Sequence, residues 1–430
     1  MSVDVNESFD RIVKADKWVL SERTISIDGE RLHGVNSSKK SVQSLLSALR
    51  HINELHFATH ECSIPPNGYV TVQFALFASL QHFKQLRSLH VGGVHLNAAP
   101  FLAAALNSLP SLTSLELHRY ENPSDKLTAA LHRLCSTQLH HLTLSCRQLH
   151  FLVQHRRRAV MPRLRSLAVS QQRLTVVANL RRTRDIDGSF AEQFPSLLHL
   201  TVHCPRFMQQ MSDIDMPQLS SLTLQEPWST WKHLTHINTR TFRVMCRGPR
   251  IEWTKPGAQL RTMLDRAPRM QHLSLSDHIN PRTNSNKQLA ARHIFGSDAA
   301  ATSSLSNLVH LDFLDGLSLA DLTFLLTPTA PPAFAARLTH LALRVHWQDR
   351  AASAVLLPML PSVYATLTHV HIGVQSASNN EQVDECAEWD SAVEAVRAAV
   401  GSAWCDSVDD VLACREDVIW RHSAGLPVLK

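Results

Sequence analysis

Residues 112 to 117 read LTSLEL, and the same phrase returns along almost the whole chain. LRSLHV opens at Leu86, LHHLTL at Leu139, LRSLAV at Leu164, LLHLTV at Leu197, LSSLTL at Leu219, MQHLSL at Met270, LVHLDF at Leu308, LTHLAL at Leu338 and LTHVHI at Leu367. Weaker copies precede these, TISI around Ile25 and INELHF at Ile52. TFRVMC around Val244 fills the 51-residue gap between Leu222 and Leu273. Twelve to thirteen units result, at spacings mostly between 22 and 38 residues. A period of this length marks a repeat architecture, in which each unit buries its apolar face against the next.

The second half of each phrase alternates apolar and β-forming polar residues, which reads as a short strand with one buried face. Helical stretches lie between, at 98–109 (AAPFLAAALNSL), 124–135 (SDKLTAALHRLC), 319–327 (LADLTFLLT) and 351–360 (AASAVLLPML). Pro110, Pro162, Pro195, Pro217 and Pro268 each stand two residues before a phrase. Lacking an amide donor and favouring extended geometry before them, they end a helix and deliver the chain into the next strand. Strands joined by returning helices run parallel, so the expected fold is an α/β leucine-rich-repeat solenoid, a horseshoe with strands on its concave face and helices on its convex face.

The x-P-x-L-x-x-L-x-L phrases resemble irregular leucine-rich repeats and look like the substrate-binding arrays of fungal F-box proteins, over roughly residues 20 to 375. The resemblance implies a protein-interaction module that captures a partner on the concave face and presents it for ubiquitylation through a Skp-type adaptor. The L-P-x-E-I-like opening of an F-box has no counterpart near the N-terminus. Nor does the asparagine that closes a regular repeat, whose places hold Tyr120, Arg147, Gln172 and Pro205. The expected organisation is a capping helix within residues 1–20, with Phe9, Ile12 and Val13 inward; about twelve repeats over 21–375; and a polar loop plus helical cap over 376–430. That cap begins with a helix over residues 389–400, burying Val393, Val396, Ala399 and Val400. Residues 280–306 form a long loop that widens one unit to 38 residues.

At 430 residues, 44% hydrophobic and 19% charged, the chain can bury a core. It has no run near the roughly 20 apolar residues that span a bilayer. The opening MSVDVNESFD has no apolar segment of the secretory kind, so the expected setting is reducing, cytoplasmic or nuclear. The eight cysteines (62, 135, 146, 204, 246, 386, 405 and 414) form no CxxC pair and read as reduced core residues. There is no GxxxxGK[ST], GxSxG, HExxH or HRD, so no enzymatic activity and no cofactor are expected. With 13 glycines against 26 histidines, imidazole is the one over-represented functional group.

Those histidines follow the repeat. The position before the second leucine holds Thr24, Glu54, Ser88, Ser114, His141, Ser166, His199, Ser221, His272, His310, His340 and His369. Six of twelve are histidine, where chance composition gives fewer than one. The next outward column adds His56, His90, Glu116, Asp312 and His371, and the one after adds His118, His203 and Arg344. Three readings are compatible with this pattern. It is a solvated face copied with the repeat; or a partner-binding surface of His141, His199, His203, His272, His310, Asp312, His340, Arg344, His369 and His371, sensitive to mild acid; or a metal-capturing cluster of His310, His340, His369, His371 and Asp312.

A basic patch is expected from Arg156, Arg157 and Arg158 with Arg181, Arg182 and Arg184, about one period apart on the helical side. It attracts an acidic partner or phosphate, but it has no interleaved aromatics to stack bases, so a protein partner is favoured over nucleic acid.

Overall fold

The computed structural model describes residues 3–4, 24–28, 52–58, 67–92, 94, 96–118, 124–155, 160–170, 190–203, 213–214, 218–224, 236–247, 254–278, 291–295, 305–326, 333–346, 349–375, 387–400 and 403–404. It divides into two compact units, Met1–Leu197 and Leu198–Lys430.

In the first unit, seven strands follow one another across the sheet in chain order. They are β1 (Val3–Asp4), β2 (Thr24–Asp28), β3 (Glu54–Ala58), β4 (Ser88–Val91), β5 (Ser114–Leu117), β6 (His141–Ser145) and β7 (Ser166–Ser170). Every neighbouring pair is parallel. A parallel pair requires the chain to return to its starting edge. Helices at Asn67–Leu80, Ala99–Leu106, Asp125–Thr137 and Cys146–His155 make the four returns between β3 and β7.

The second unit repeats the plan with β8 (His199–Val202), β9 (Asp213–Ile214), β10 (Ser221–Leu224), β11 (His236–Ile237), β12 (Thr241–Arg247), β13 (His272–His278), β14 (His310–Leu317), β15 (His340–His346), β16 (His369–Gln375) and β17 (Ala403–Trp404). All but β9 and β11 lie in one parallel sheet in chain order. β9 and β11 pair separately with each other. Only 22 residues separate His199 from Ser221 and 20 separate Ser221 from Thr241, the two shortest steps between aligned strands of this unit. Longer returns carry helices at Thr254–Leu264, Leu319–Leu326 and Ala387–Val400. Each unit is thus an α/β solenoid of leucine-rich-repeat type. No helix among the described residues is long and apolar enough to cross a membrane.

The core lies under the strands, where the phrase's three apolar positions point. Leu112, Leu115 and Leu117 are fully buried, as are Leu308, Leu311 and Phe313. Burying each such side chain stabilises the fold by about 1.5–3 kcal/mol. From the other side come helix stripes at helical spacing, such as Leu127, Leu131, Leu134 and Cys135 of helix Asp125–Thr137. Ser124 starts that helix by accepting a hydrogen bond from the Leu127 amide at 3.2 Å.

Two backbone devices recur with the phrase. The first is a tight turn just before each strand, with Leu164 N bonded to Met161 O, Leu197 N to Phe194 O and Met270 N to Ala267 O. Pro162, Pro195 and Pro268 are the second residues of these turns, where a φ fixed near −65° is favourable. The prolines therefore shape the turn itself, a more specific role than ending a helix. The second device is a shared acceptor: Thr113 and Ser114 both donate to Arg87 O, Val309 and His310 to Gln271 O, and Thr368 and His369 to Thr339 O. One carbonyl of each unit thereby fixes the start of the next strand.

Several expectations change. The helix over residues 351–360 is broken into Arg350–Ala354, a 3-10 turn at Leu357–Met359 and Leu360–Val363. Pro358 and Pro361 each sit in a first helical turn, where a missing amide does no harm, so each starts a new segment and interrupts the previous one. The 280–306 loop contains a helix, Ala291–Phe295, whose Phe295 ring packs 5.2 Å from Phe334 and 6.1 Å from Phe313. Those aromatic contacts tie the segment to the core. In the C-terminal helix the buried stripe is Trp389, Ala392, Val393 and Val396, while Ala399 faces solvent. The capping helix expected over residues 7–20 lies outside the described residues; β1 precedes it.

Candidate functional site

Strand register decides which outward side chains become neighbours. In the first unit it aligns Thr24, Glu54, Ser88, Ser114, His141 and Ser166. In the second it aligns His199, Ser221, Thr241, His272, His310, His340 and His369. Four consecutive histidines therefore meet in the second unit. His199 is separated from them by Ser221 and Thr241, and His141 stands between two serines in the other unit.

The four rings form a ladder. Their centroids are 5.2 Å apart for His272 and His310, 5.2 Å for His310 and His340, and 4.2 Å for His340 and His369. Interplanar angles are 24°, 5° and 2° along the series, so the last three rings are parallel plates. Hydrogen bonds fix their edges. His310 Nε2 donates to Asp312 Oδ1 at 2.8 Å. Thr339 Oγ1 donates its hydroxyl hydrogen to Val309 O at 3.2 Å, which leaves it to accept from His340 Nδ1 at 2.8 Å. Thr368 repeats the arrangement with Thr339 O at 3.2 Å and His369 Nδ1 at 2.9 Å. His340 and His369 then keep their Nε2 lone pairs available as acceptors.

Burial pushes the His272 and His340 imidazoles below their usual range, and neighbouring imidazoles push further: His310 and His340 on His272, His310 and His369 on His340. The Asp312 carboxylate opposes both shifts. Two unit charges about 5 Å apart repel by about 1 kcal/mol in full solvent and about 3 kcal/mol near a protein surface, which is the size of the mutual opposition between charged rings at this spacing. Burial alone lowers His199.

The remaining expected residues sit around this core. Asp312 is buried against the ladder at 3% exposure, so it supports the ladder and is not itself a contact group. His371 lies opposite Ala342 in the register, and Arg344 lies opposite Gly373. A Cβ placed on Gly373 would stand 3.5 Å from Arg344 Cγ and 3.9 Å from His371 Nε2, so the glycine lets both side chains lie close over the sheet. His203 is half-buried just after β8. The basic patch of Arg156, Arg157, Arg158, Arg181, Arg182 and Arg184 lies outside the described residues. Cys135 is a free, buried thiol, pushed up to about 12 by burial.

The cluster proposed for metal capture does not have metal geometry. An imidazole nitrogen binds an ion close to its ring plane, and the parallel planes of His310, His340 and His369 share no line along which two lone pairs converge. Among the described residues, the group whose ligand atoms lie mutually within 4.8 Å is His90, Glu116 and His118 of the first unit. His90 Nδ1 is 2.6 Å from Glu116 Oε2, and His118 Nε2 is 3.5 Å from the same oxygen. The sequence columns placed all three on the outward face; their convergence needed ring orientation, which no repeat register carries. Burial pushes the Glu116 carboxyl up, but hydrogen bonds and charge from His118 and His90 outweigh it and hold the group well below the usual carboxylate range.

No protein-family model and no curated protein match the chain. Among solved structures it is similar to Rad7 in its complex with Elc1 from yeast, at 13% identity over 88% of this chain and 82% of that one, with a TM-score of 0.41. It is also similar to TLR13 in complex with ssRNA13, at 13% identity over 82% of this chain and 55% of that one, TM-score 0.33. A third is the tropomodulin C-terminal domain of Caenorhabditis elegans, at 15% identity over 35% of this chain and 90% of that one, TM-score 0.25.

Proposed function

We propose that this chain is a non-enzymatic protein-interaction module that captures a partner protein on the outward strand face of its repeats. The observation that carries the reading is the stacked ladder of His272, His310, His340 and His369. Its rings are already ordered by stacking and by the Thr339, Thr368 and Asp312 hydrogen bonds, so a partner immobilises little that was free. Flat ring edges with acceptor nitrogens suit a partner that brings hydrogen-bond donors. Following the resemblance of the repeat phrase to fungal F-box arrays, the captured protein is a substrate presented for ubiquitylation.

Affinity purification of the full chain with mass spectrometry tests both levels, comparing wild type with the double variant His340→Ala, His369→Ala. A protein recovered with wild type and lost with the variant supports capture by the ladder. Co-recovery of a Skp-type adaptor and a cullin supports the ubiquitylation role, and their absence beside a ladder-dependent partner reduces the function to a scaffold. An identical partner set from both forms contradicts the reading.

A further inference from the structure

We propose that His90, Glu116 and His118 form a binding site for one Zn²⁺-class divalent cation, bridging two adjacent strands of the first unit. The inference stands on geometry independent of the histidine ladder.

The repeat itself builds the site. His90 of β4 and Glu116 of β5 are register partners, so their side chains leave the sheet one strand apart on the same face. His118 lies two residues beyond Glu116, which puts it on that face too, and its amide is anchored to Val91 O at 2.9 Å. Backbone pairing thus brings three ligands of kinds that Zn²⁺ accepts, two imidazoles and a carboxylate, to one point. The His90 and His118 rings are 4.9 Å apart at 47°, so their planes intersect, unlike the parallel plates of the second unit. Across the strand on the other side, the His56 ring stacks on His90 at 5.4 Å and 26° and restricts its rotation.

The distances need only small adjustment. With metal-ligand bonds near 2.0–2.1 Å, tetrahedral ligand atoms lie about 3.3 Å apart. Glu116 Oε2 to His118 Nε2, at 3.5 Å, is already there. His90 Nδ1 to Glu116 Oε2, at 2.6 Å, is a hydrogen bond that must open, which rotation of the Glu116 side chain provides. The proton in that bond is displaced as the ion enters, and His90 takes its other neutral tautomer. All three side chains keep partial exposure, 25% for His90 and 32% for Glu116 and His118, so an ion has a path from solvent. Three protein ligands leave one coordination position for water or an incoming donor.

Zn²⁺ titration of the chelator-treated full chain, followed by calorimetry, tests this. The expected result is one tight equivalent in wild type and in His340→Gln/His369→Gln, and at least about tenfold weaker binding, 1.4 kcal/mol, in His90→Gln and in His118→Gln. No uptake by wild type, or uptake unchanged in both His90→Gln and His118→Gln, overturns the site. Should those variants not fold, Co²⁺ bound to the wild-type chain decides: an intense visible band of four-coordinate Co²⁺ without the near-ultraviolet thiolate band supports the site. A weak six-coordinate band, or thiolate absorption, overturns it.

Discussion

Tyr364 shows how a single side chain closes an element that the repeat leaves open. Its ring is buried and its hydroxyl donates to Leu325 O at 2.9 Å, satisfying one of the last carbonyls of helix Leu319–Leu326, which have no partner within the helix. Burial pushes the phenol up and keeps it a donor. Tyr364→Phe should lower stability by about 1–2 kcal/mol in chemical denaturation, because it strands that carbonyl. Glu116 gives a second prediction with a pH sign. Its folded carboxyl titrates below the ordinary value of 4.5, so its stabilisation is fully present above that pH and is lost as pH falls through the lower folded value. Glu116→Gln should therefore cost about 1 kcal/mol at neutral pH, and thermal unfolding of variant and wild type should converge in acid. Neither Tyr364 nor the Glu116 triad was legible as such in the sequence. The columns placed Glu116 beside His90 and His118, but convergence depends on ring planes at 47° and not on spacing.

Strands were the most legible elements, because a period of two combined with L-x-x-L-x-L admits one register only; a slip by one residue would turn Leu273, Leu311 and Leu341 outward. All three are buried side by side in β13, β14 and β15, and Leu311→Ala should cost about 2–5 kcal/mol in unfolding free energy. Helices were less legible. The apolar run over 351–360 carries the composition of one helix, and Pro358 and Pro361 divide it into three pieces. The two-residue strands Asp213–Ile214 and His236–Ile237, which pair with each other, carry no L-x-x-L-x-L phrase to announce them. The ladder belongs to this scale as well, since it exists only where four strands align. His272 and His340, facing His310, His369 and Asp312, titrate below 6.5 in the folded chain, so the unfolded chain binds more protons just below that pH. Stability contributed by these neutral rings is full above about 6.5 and declines as pH falls through it, and His340→Gln should flatten that dependence in thermal unfolding followed from about pH 8 to 5. Equal slopes in variant and wild type would count against a lowered His340 imidazole in the folded chain.

At the scale of the molecule, each unit turns a composition skew into a patterned face. Eleven of the 26 histidines fall in the three outward columns, among them a parallel stack in the second unit and a convergent His-Glu-His group in the first. The same phrase, with different residues at equivalent positions, thus yields a stack of parallel imidazoles in one place and a convergent His-Glu-His group in another. What the repeat could not convey is which of the two a given column becomes, because that is set by side-chain rotation and by the threonines and carboxylates alongside. The face proposed to capture the partner is the strand face and not the helical side. The most direct measurement is the affinity of the purified full chain for its captured partner at neutral pH, with His340→Ala/His369→Ala on the strand face set against Phe101→Ser, whose ring is 48% exposed on helix Ala99–Leu106. Capture by the strand face requires at least about tenfold weaker binding in the strand-face variant and unchanged binding in Phe101→Ser; full affinity in the strand-face variant with loss in Phe101→Ser would place capture on the helical side instead.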